Sequence, residues 1–310
     1  MEDKLRVSFG NNRLMILFPF DQHAAMAAEL QKAVSRPTIG QFQAVRFENG
    51  ELHMTLQTQV AAKSCWILGS LAPPDENILI ATLLAHTLKK EEAGRVIGAF
   101  PYLAYARDDK AKPGYSLGTA WAGSLVGASG FDQVITVDVH SLKTSRLFPI
   151  PVISLSPAQV FANALNEHRL TGATIIAPDE GAIGRCDAVK AAAGMQSGPT
   201  VYFKKQRNES GIVHTGPIGR VGGKALVIDD ILDTGGTLLS ACGKLIEAGV
   251  EEIYIMVTHG LFTGERWKGL WELGVKQIFC TDSIPLPDHV DVSNIKRLSI
   301  VPLLAKALAS

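Results

Sequence analysis

Three acidic residues and a run of threonines and glycines follow one apolar segment of the sequence. Residues 224–238 read KALVIDDILDTGGTL, so an apolar strand runs into two acids, and a third acid precedes a TGGT sequence. Glycines let backbone N–H groups approach an anion closely, the hydroxyls of Thr234 and Thr237 add donors, and the positive end of the following helix points at the same place. The segment therefore predicts a cradle for a monophosphate. We expect a β-branched side chain at Gly236 to crowd this cradle and to oppose any positive φ there.

The acids of this segment cannot face the same phosphate without repulsion. Asp229, Asp230 and Asp233 are therefore expected to hold sugar hydroxyls or the Mg²⁺ that accompanies a phosphorylated substrate, because that ion prefers hard oxygen ligands. A plain strand–turn–helix accounts for a Gly-Gly turn but not for two acids at the exit of a strand. Neither the Walker phosphate loop nor the dinucleotide pattern GxGxxG occurs in the sequence.

The positions of these residues follow from an alternation of strand-like and helix-like segments. Short apolar runs predict strands at CWILGS, RVIGAF, QVITVDV, TIIAPD, ALVIDD, EIYIMVTH and QIFCTDS. Between them, NILIATLLAHTLKKEEAG and LLSACGKLIEAG predict helices, which end at Gly94 and Gly249, each suited to a left-handed C-terminal cap. This order predicts a mostly parallel sheet with ligands at the carboxyl ends of its strands.

A weak internal repeat indicates that the chain contains two related units. Residues 130–140 (GFDQVITVDVH) resemble residues 249–259 (GVEEIYIMVTH), each a glycine and an acid leading into a strand that ends at histidine. The length of 310 residues also suggests two domains, at a typical size of about 100–200 residues each. We expect one domain at residues 1–153 and a second at residues 154–310. It stays open whether the C-terminal residues pack back on the first domain.

Composition and charge exclude several classes of protein. Lys plus Arg and Asp plus Glu number 30 each, so the net charge of zero argues against bulk binding to nucleic acid or to an anionic membrane. With 46% apolar residues the chain can bury a large core, which excludes disorder as its dominant state. No apolar run approaches the ~18–20 residues of a membrane span, and the N-terminus carries no apolar signal core. The four cysteines form no CxxC pair. We expect a cytoplasmic protein with reduced thiols and with no nucleic-acid or membrane partner.

The segment at residues 229–237 resembles the motif for 5-phosphoribosyl 1-pyrophosphate (PRPP) that phosphoribosyltransferases share with PRPP synthetases. Further segments decide between the two families, because phosphoribosyltransferases share only the DTGGT element and are usually shorter. Each is similar to a PRPP synthetase motif: RFENGE at 46–51, PYLAYARDDK at 101–110, VDVH at 137–140, APDEG at 177–181, FKKQR at 203–207 and THGLFTG at 258–264. Through these ordered matches the chain is identified as a member of the ribose-phosphate diphosphokinase (PRPP synthetase) family.

The resemblance implies both a fold and a reaction. The fold would be α/β, with two tandem phosphoribosyltransferase-like domains, each a mostly parallel sheet flanked by helices. The first domain would form the nucleotide side, and the second would hold the ribose 5-phosphate site. The enzyme would be a diphosphotransferase of nucleotide biosynthesis that makes PRPP and AMP from ribose 5-phosphate and MgATP. Mg²⁺ would be the cofactor. In the family a neighbouring subunit completes the nucleotide site, which implies a homo-oligomer, either a dimer or a hexamer.

The resemblance also assigns roles to the residues that match family motifs. Lys205 would carry the catalytic ammonium, and Arg207 would assist catalysis and bind the sugar phosphate, since a transferring diphosphoryl group needs cations. The rest of the ribose 5-phosphate site would comprise Asp229, Asp233, Thr234, Gly235, Gly236 and Thr237. The nucleotide site would comprise Phe47, Asn49, Gly50, Glu51, Arg107 and Asp108. His140 and Asp179 match the metal site, whereas His259, the repeat partner of His140, is expected to play a structural part.

Several positions depart from the family pattern. Asn49 stands where the family has Asp, Asp108 and Gly69 stand where it has Gln, and Ala182 stands where it has the second Gly of the pyrophosphate loop. The exchange at Asn49 and Asp108 predicts weaker selection for ATP over other nucleoside triphosphates, or over ADP. Two other functions stay open. One is a non-catalytic regulatory homologue of the synthetase, which the two catalytic cations argue against, and the other is a phosphoribosyltransferase that uses PRPP.

Overall fold

The computed structural model describes residues 15–34, 37–141, 143–195, 198–208 and 211–309. These residues form two compact units, one that runs to Leu155 and includes the segment from Val301 onward, and one that comprises Ser156–Ile300. The division lies beside the boundary at 153/154 expected from the sequence, and the C-terminal helix belongs to the first unit.

The first unit is built on a parallel sheet flanked by helices. Its strands are β1 (Met15–Pro19), β2 (Thr38–Ile39), β3 (Phe42–Arg46), β4 (Leu52–Leu56), β5 (Ser64–Leu68), β6 (Arg95–Ala99), β7 (Gln133–Val137) and β8 (Val152–Leu155). Its helices are α1 (Ala24–Ala33), α2 (Glu76–Lys90), α3 (Gly118–Ala128), α4 (Thr144–Leu147) and α9 (Val301–Ala309). The sheet has the order β2-β1-β5-β6-β7-β8 with all neighbours parallel, whereas β3 and β4 form a separate antiparallel hairpin.

The second unit repeats this plan with a larger sheet. Its strands are β9 (Thr174–Ala177), β10 (Val201–Asn208), β11 (Gly211–Ile218), β12 (Lys224–Leu232), β13 (Glu252–Gly260), β14 (Val275–Thr281) and β15 (Ile295–Leu298). Its helices are α5 (Ala158–Glu167), α6 (Ile183–Ala192), α7 (Gly236–Glu247) and α8 (Gly269–Glu272). The order is β11-β10-β9-β12-β13-β14-β15, parallel except for the β10–β11 pair. In the described ranges, no helix combines the length and apolarity that crossing a membrane requires.

The central strands of the second sheet are apolar on both faces. Leu226 and Ile228 of β12 pack with Met256 of β13 in one core cluster, whereas Val227 packs with Ile255 in another. Successive side chains of a strand point to opposite faces, so an unbroken apolar run fills two cores and needs helices on both sides. Each fully buried aliphatic side chain contributes about 1.5–3 kcal/mol relative to exposure. The predicted α/β fold with two mostly parallel sheets is confirmed.

One of the two predicted helix ends is correct and the other is wrong. Gly249, after α7, has a φ of +83°, the left-handed value of a C-terminal cap. Helix α2 ends earlier than predicted, and the left-handed residue after it is Glu92, at a φ of +61°, rather than Gly94. Gly94 is required for another reason, because a Cβ on it would lie 2.9 Å from the carbonyl oxygen of Ala62.

Candidate functional site

The predicted phosphate cradle lies at the carboxyl end of β12 and opens helix α7. Gly235, which precedes the first helical residue, has a φ of +82°, where only glycine is free of strain. A Cβ on Gly235 would also lie 2.8 Å from the Cα of Trp267, closer than real Cβ contacts. Gly236 has no positive φ, and a Cβ on it would meet nothing nearer than Arg266 Nη1 at 3.7 Å. The sequence left open a positive φ at Gly236, and the structure has it at Gly235 instead.

Backbone hydrogen bonds hold the cradle against the segment that follows β13. The amide of Thr263 donates to the carbonyl oxygen of Asp233 at 3.1 Å, and the amide of Leu261 donates to that of Leu232 at 2.8 Å. The amide of Leu239 donates to the carbonyl of Gly235 at 2.8 Å and closes the first helical turn. The N-terminus of α7, with its partial positive charge, is thus fixed at the exit of β12.

Two acids at the end of β12 are buried beside one another. The amide of Asp230 donates to Asp229 Oδ1 at 2.9 Å, and Arg185 Nη1 lies 3.9 Å from the same oxygen. Burial, followed by the charge of Asp230, raises the pKa of Asp229 well above its ordinary value, while Arg185 acts in the opposite direction. Asp179 raises it further. The site therefore concentrates carboxylates where a cation or hydroxyl donors would be favourable.

Asp179 lies at the carboxyl end of β9, before a 3₁₀ turn at Glu180–Ala182 that leads into α6. Its side chain caps that turn by accepting a hydrogen bond from the amide of Ala182 at 3.2 Å. A Cβ on Gly181 would lie 3.2 Å from Asp179 Oδ1, so this glycine leaves room for the carboxylate. The segment thus presents an acid and a tight turn at the same edge of the sheet as β12.

His259 is buried at the end of β13 in a small polar network. Ser283 Oγ lies 3.0 Å from the carbonyl oxygen of Thr258 and 2.9 Å from His259 Nδ1. A hydroxyl has one proton and a carbonyl oxygen only accepts, so Ser283 donates to Thr258 while the Nδ1–H of His259 donates to Ser283. Thr281 Oγ1 donates to the same carbonyl at 2.6 Å. These contacts are consistent with the structural role expected for His259. Ser283 lies outside the sequence motifs, which gave no sign of its contact with His259.

The two cations predicted to be catalytic lie on an antiparallel hairpin. Lys205 and Arg207 belong to β10, in register with His214 and Ile212 of β11. The side chains of these four residues, and the whole of residues 209–210, lie outside the part of the chain that the structure describes. The catalytic roles of Lys205 and Arg207 stay predictions.

Four residues predicted to bind the nucleotide lie together in the turn of the β3–β4 hairpin. The side-chain amide of Asn49 donates to Glu51 Oε2 at 2.9 Å, and the backbone amide of Glu51 donates to Asn49 Oδ1 at 3.0 Å. Gly50 has a φ of +88°, which the turn requires. The ring of Phe47 is 52% exposed and lies 4.8 Å from that of His53, centroid to centroid. The turn therefore presents one aromatic face and one carboxylate to solvent.

Acids at the start of α2 tie two candidate nucleotide segments together. Arg46, at the base of the hairpin, lies 2.9 Å from Glu76 Oε1 and also donates to the carbonyl of Gly50. Tyr105, in the segment that carries Arg107, donates its hydroxyl to Asp75 Oδ1 at 2.6 Å. The sequence motifs assigned no functional role to Asp75 or Glu76. The signal that could have identified them is a pair of acids directly before a predicted helix, where the partial positive charge of the helix N-terminus favours acids.

Asp108 is held by contacts within its own segment. Its Oδ2 accepts a hydrogen bond from the amide of Gly118 at 2.7 Å and another from the hydroxyl of Ser116 at 2.9 Å. These hydrogen bonds lower the pKa of Asp108, because they favour the charged carboxylate. The carboxylate therefore supports the first residue of α3, while the neighbouring Arg107 is exposed.

His140 follows β7 in the first unit and is exposed, whereas Asp179 belongs to the second unit. Among the described residues, no three or more His, Cys, Asp and Glu side chains are grouped so as to hold a metal ion. The predicted metal roles of His140 and Asp179 stay predictions.

Comparison with known proteins assigns the family. The model of the N-terminal domain of ribose phosphate pyrophosphokinase matches residues 15–130, and that of the phosphoribosyl synthetase-associated domain matches residues 199–310. The ribose-phosphate pyrophosphokinase of Caldanaerobacter subterraneus subsp. tengcongensis is 30% identical over 267 residues, which cover 84% of each chain. The chain belongs to the ribose-phosphate pyrophosphokinase family. The Bacillus subtilis relative of that name is 28% identical over 304 residues, which cover 97% of this chain and 94% of the relative.

The family fold is shared as well. The crystal structure of phosphoribosylpyrophosphate synthetase from Mycobacterium smegmatis superposes with a TM-score of 0.84 at 24% identity, covering 95% of this chain and 97% of that chain. The family predicted from the sequence motifs is therefore confirmed, and so is the fold that it implied.

Two departures from the pyrophosphokinase motifs have local structural counterparts. A Cβ at Gly69 would lie 2.4 Å from the ring of Phe20, which is buried. The ring therefore occupies the space that a longer side chain at position 69 would need. Ala182 is buried, its backbone amide donates to the Asp179 carboxylate, and its φ of −86° does not require glycine. Both substitutions therefore fit their surroundings in this chain.

Proposed function

We propose that this chain is a catalytically active ribose-phosphate pyrophosphokinase. It transfers a diphosphoryl group from MgATP to the anomeric hydroxyl of ribose 5-phosphate and releases PRPP and AMP, as an enzyme of nucleotide biosynthesis. The observation that carries the proposal is the glycine turn at the start of α7, in which Gly235 takes the left-handed conformation beside buried acids, within a chain of this family.

The second unit binds the sugar phosphate in this proposal. The backbone amides and hydroxyls of residues 233–237 take the 5-phosphate at the positive end of α7. Asp229 and its neighbours accept hydrogen bonds from the ribose hydroxyls. Burial and the charge of Asp230 raise the pKa of Asp229, so hydroxyl donors or a cation would relieve the crowding of charge.

Lys205 and Arg207 act on the diphosphoryl group as it is transferred. The charge on the moving group is spread over its oxygens, and fixed cations stabilise that charge more strongly in the transition state than in the ground state. We assign the catalytic ammonium to Lys205, and we assign to Arg207 both transition-state stabilisation and a contact with the sugar phosphate.

Magnesium fits the chemistry of the second unit, because its acids supply the hard oxygen ligands that this ion prefers. The ion would neutralise charge on the polyphosphate and make it a better electrophile. We propose Asp179 as a ligand. We propose separately that His140, in the first unit, acts through bound water or substrate phosphate, since imidazole is an unusual direct ligand of magnesium.

The first unit binds the nucleotide in this proposal. The exposed ring of Phe47 offers a face for the base, Glu51 and Asn49 offer polar groups, and the exposed Arg107 contacts the phosphates. We propose a homo-oligomer, a dimer or a hexamer, in which a neighbouring subunit completes this site. We place the enzyme in the cytoplasm, where its four buried free cysteines would stay reduced.

A product assay tests the proposed reaction. The purified protein is incubated with ribose 5-phosphate, ATP and Mg²⁺, and the nucleotide and sugar products are separated. AMP and PRPP in equal amounts are expected. Release of ADP would indicate transfer of the γ-phosphate and refute the proposal. Consumption of added PRPP with a base would indicate a phosphoribosyltransferase, and absence of any turnover would indicate a regulatory homologue.

A further inference from the structure

A tightly packed turn lies against the start of the phosphate-loop helix. Trp267, in the 3₁₀ turn Arg266–Lys268, is buried and donates its indole N–H to the carbonyl of Gly264 at 3.0 Å. Its ring packs edge-on against Phe262, with 4.9 Å between centroids. Because the Cα of Trp267 would lie 2.8 Å from a Cβ on Gly235, the turn is in direct contact with the phosphate loop.

The residue before this tryptophan places a guanidinium at the first residue of α7. Arg266 is exposed, and its Nη1 and Cζ would lie 3.7 and 3.8 Å from a Cβ on Gly236. Arg185 is engaged with Asp229, and Lys268 with Glu265. Within the described part of the chain, the side chain of Arg266 forms neither an ion pair nor a hydrogen bond, and its backbone carbonyl accepts from the amide of Gly269.

The electrostatics of the loop favour a cation at this point. Asp229, Asp230 and Asp233 lie at the carboxyl end of β12, directly before the loop, and carboxylate charge at this place opposes the binding of a phosphate. The start of a helix contributes only about half of one positive charge. A guanidinium carries a full charge, and its planar fork matches phosphate oxygens in a two-point contact.

We infer that Arg266 binds the phosphate group of ribose 5-phosphate, an inference that rests on the function proposed above. The resemblance to family motifs did not assign it, because the matched segment after β13 ends at Gly264. Arg266 is a substrate-binding residue, whereas Trp267 is a positioning residue that holds the turn against the loop.

The inference is tested with Arg266→Ala and Arg266→Lys against the matched control Lys268→Ala. The control removes one positive charge from the same turn but from a side chain paired with Glu265. Steady-state kinetics with ribose 5-phosphate and ATP varied in turn give KM for each substrate, and calorimetry gives the affinity for ribose 5-phosphate without ATP. Circular dichroism and tryptophan fluorescence check that each variant is folded.

Arg266→Ala is expected to raise KM and Kd for ribose 5-phosphate about 10- to 100-fold, the loss expected for one hydrogen bond to a charged group. KM for ATP should stay within about twofold, Arg266→Lys should recover part of the affinity, and Lys268→Ala should match the wild type. Equal effects of Arg266→Ala and Lys268→Ala, or unchanged affinity in Arg266→Ala, would overturn the inference. If the wild type released no AMP, the proposed function would fail, and calorimetry would still decide whether Arg266 binds the sugar phosphate. A wild type that neither released AMP nor bound ribose 5-phosphate would overturn both.

Discussion

Replacement of Gly235 by alanine should destabilise the second unit, and the structure sets the magnitude. At a φ of +82° an alanine is strained by about 1–2 kcal/mol. Its Cβ would also lie 2.8 Å from the Cα and 2.9 Å from the Cβ of Trp267, and the displacement needed to relieve such overpacking costs about 1–3 kcal/mol. The free energy of unfolding should therefore fall by about 2–5 kcal/mol.

The neighbouring glycine provides the matched control. Gly236 has no positive φ, and an added Cβ would have no atom nearer than 3.7 Å. Gly236→Ala should therefore change the free energy of unfolding by less than about 1 kcal/mol, since alanine also lowers the entropy of the unfolded chain. Two substitutions of the same chemistry, one residue apart, are thus expected to differ several-fold in effect.

Urea unfolding followed by tryptophan fluorescence measures the difference, because Trp267 is buried against the substituted residue. KM for ribose 5-phosphate, measured in the same preparations, should rise in Gly235→Ala because the loop must move away from Trp267. Gly236→Val should leave stability nearly unchanged but weaken ribose 5-phosphate binding by crowding the cradle. Equal unfolding midpoints for Gly235→Ala and Gly236→Ala would refute the assignment of strain to Gly235.

Three further predictions concern other parts of the chain. Lys205→Ala should lower kcat by about a hundred- to a thousandfold in steady-state assays, with little change in affinity for ribose 5-phosphate. A near-normal kcat would show that this lysine is not catalytic. Asp108→Ala should raise KM for ATP and speed proteolysis between residues 108 and 118, because the Asp108 carboxylate accepts hydrogen bonds from the amide of Gly118 and the hydroxyl of Ser116. An unchanged KM would exclude a role in nucleotide binding, and an unchanged proteolysis rate would exclude a role in holding this segment. Burial raises the pKa of Cys242 to about 12 and that of Cys280 to about 12. Both thiols should therefore resist alkylation at pH 8 in the native protein, as mass spectrometry can check. Since the ordinary thiol pKa is 9.0, the stability that these thiols contribute is present below pH 9.0 and is lost as pH rises toward 12.

The family and the fold class could be predicted from the amino-acid sequence alone, and the same patterns predicted a candidate phosphate cradle after β12. These depend on local patterns: apolar runs of strand length, helical periodicity, and an acid-rich strand exit followed by DTGGT. Chemistry constrains such segments directly, because an anion cradle needs glycine and hydroxyl groups in consecutive positions.

Tertiary contacts decided the details that local patterns leave open. The left-handed residue is Gly235 rather than Gly236 because the loop closes against Trp267, which is distant in sequence. The left-handed residue after α2 is Glu92 rather than Gly94, and Gly94 instead leaves room for the backbone of Ala62.

The surroundings of the charged site residues depended on the fold in the same way. The segment of Lys205 lies in a hairpin with β11, Asp108 holds the start of α3, and Arg266 lies beside the phosphate loop. The residue types in the sequence indicated which groups could perform chemistry. Segments that are distant in sequence meet only in the folded chain. The fold therefore determines which residues each charged side chain contacts and which groups it attracts or repels.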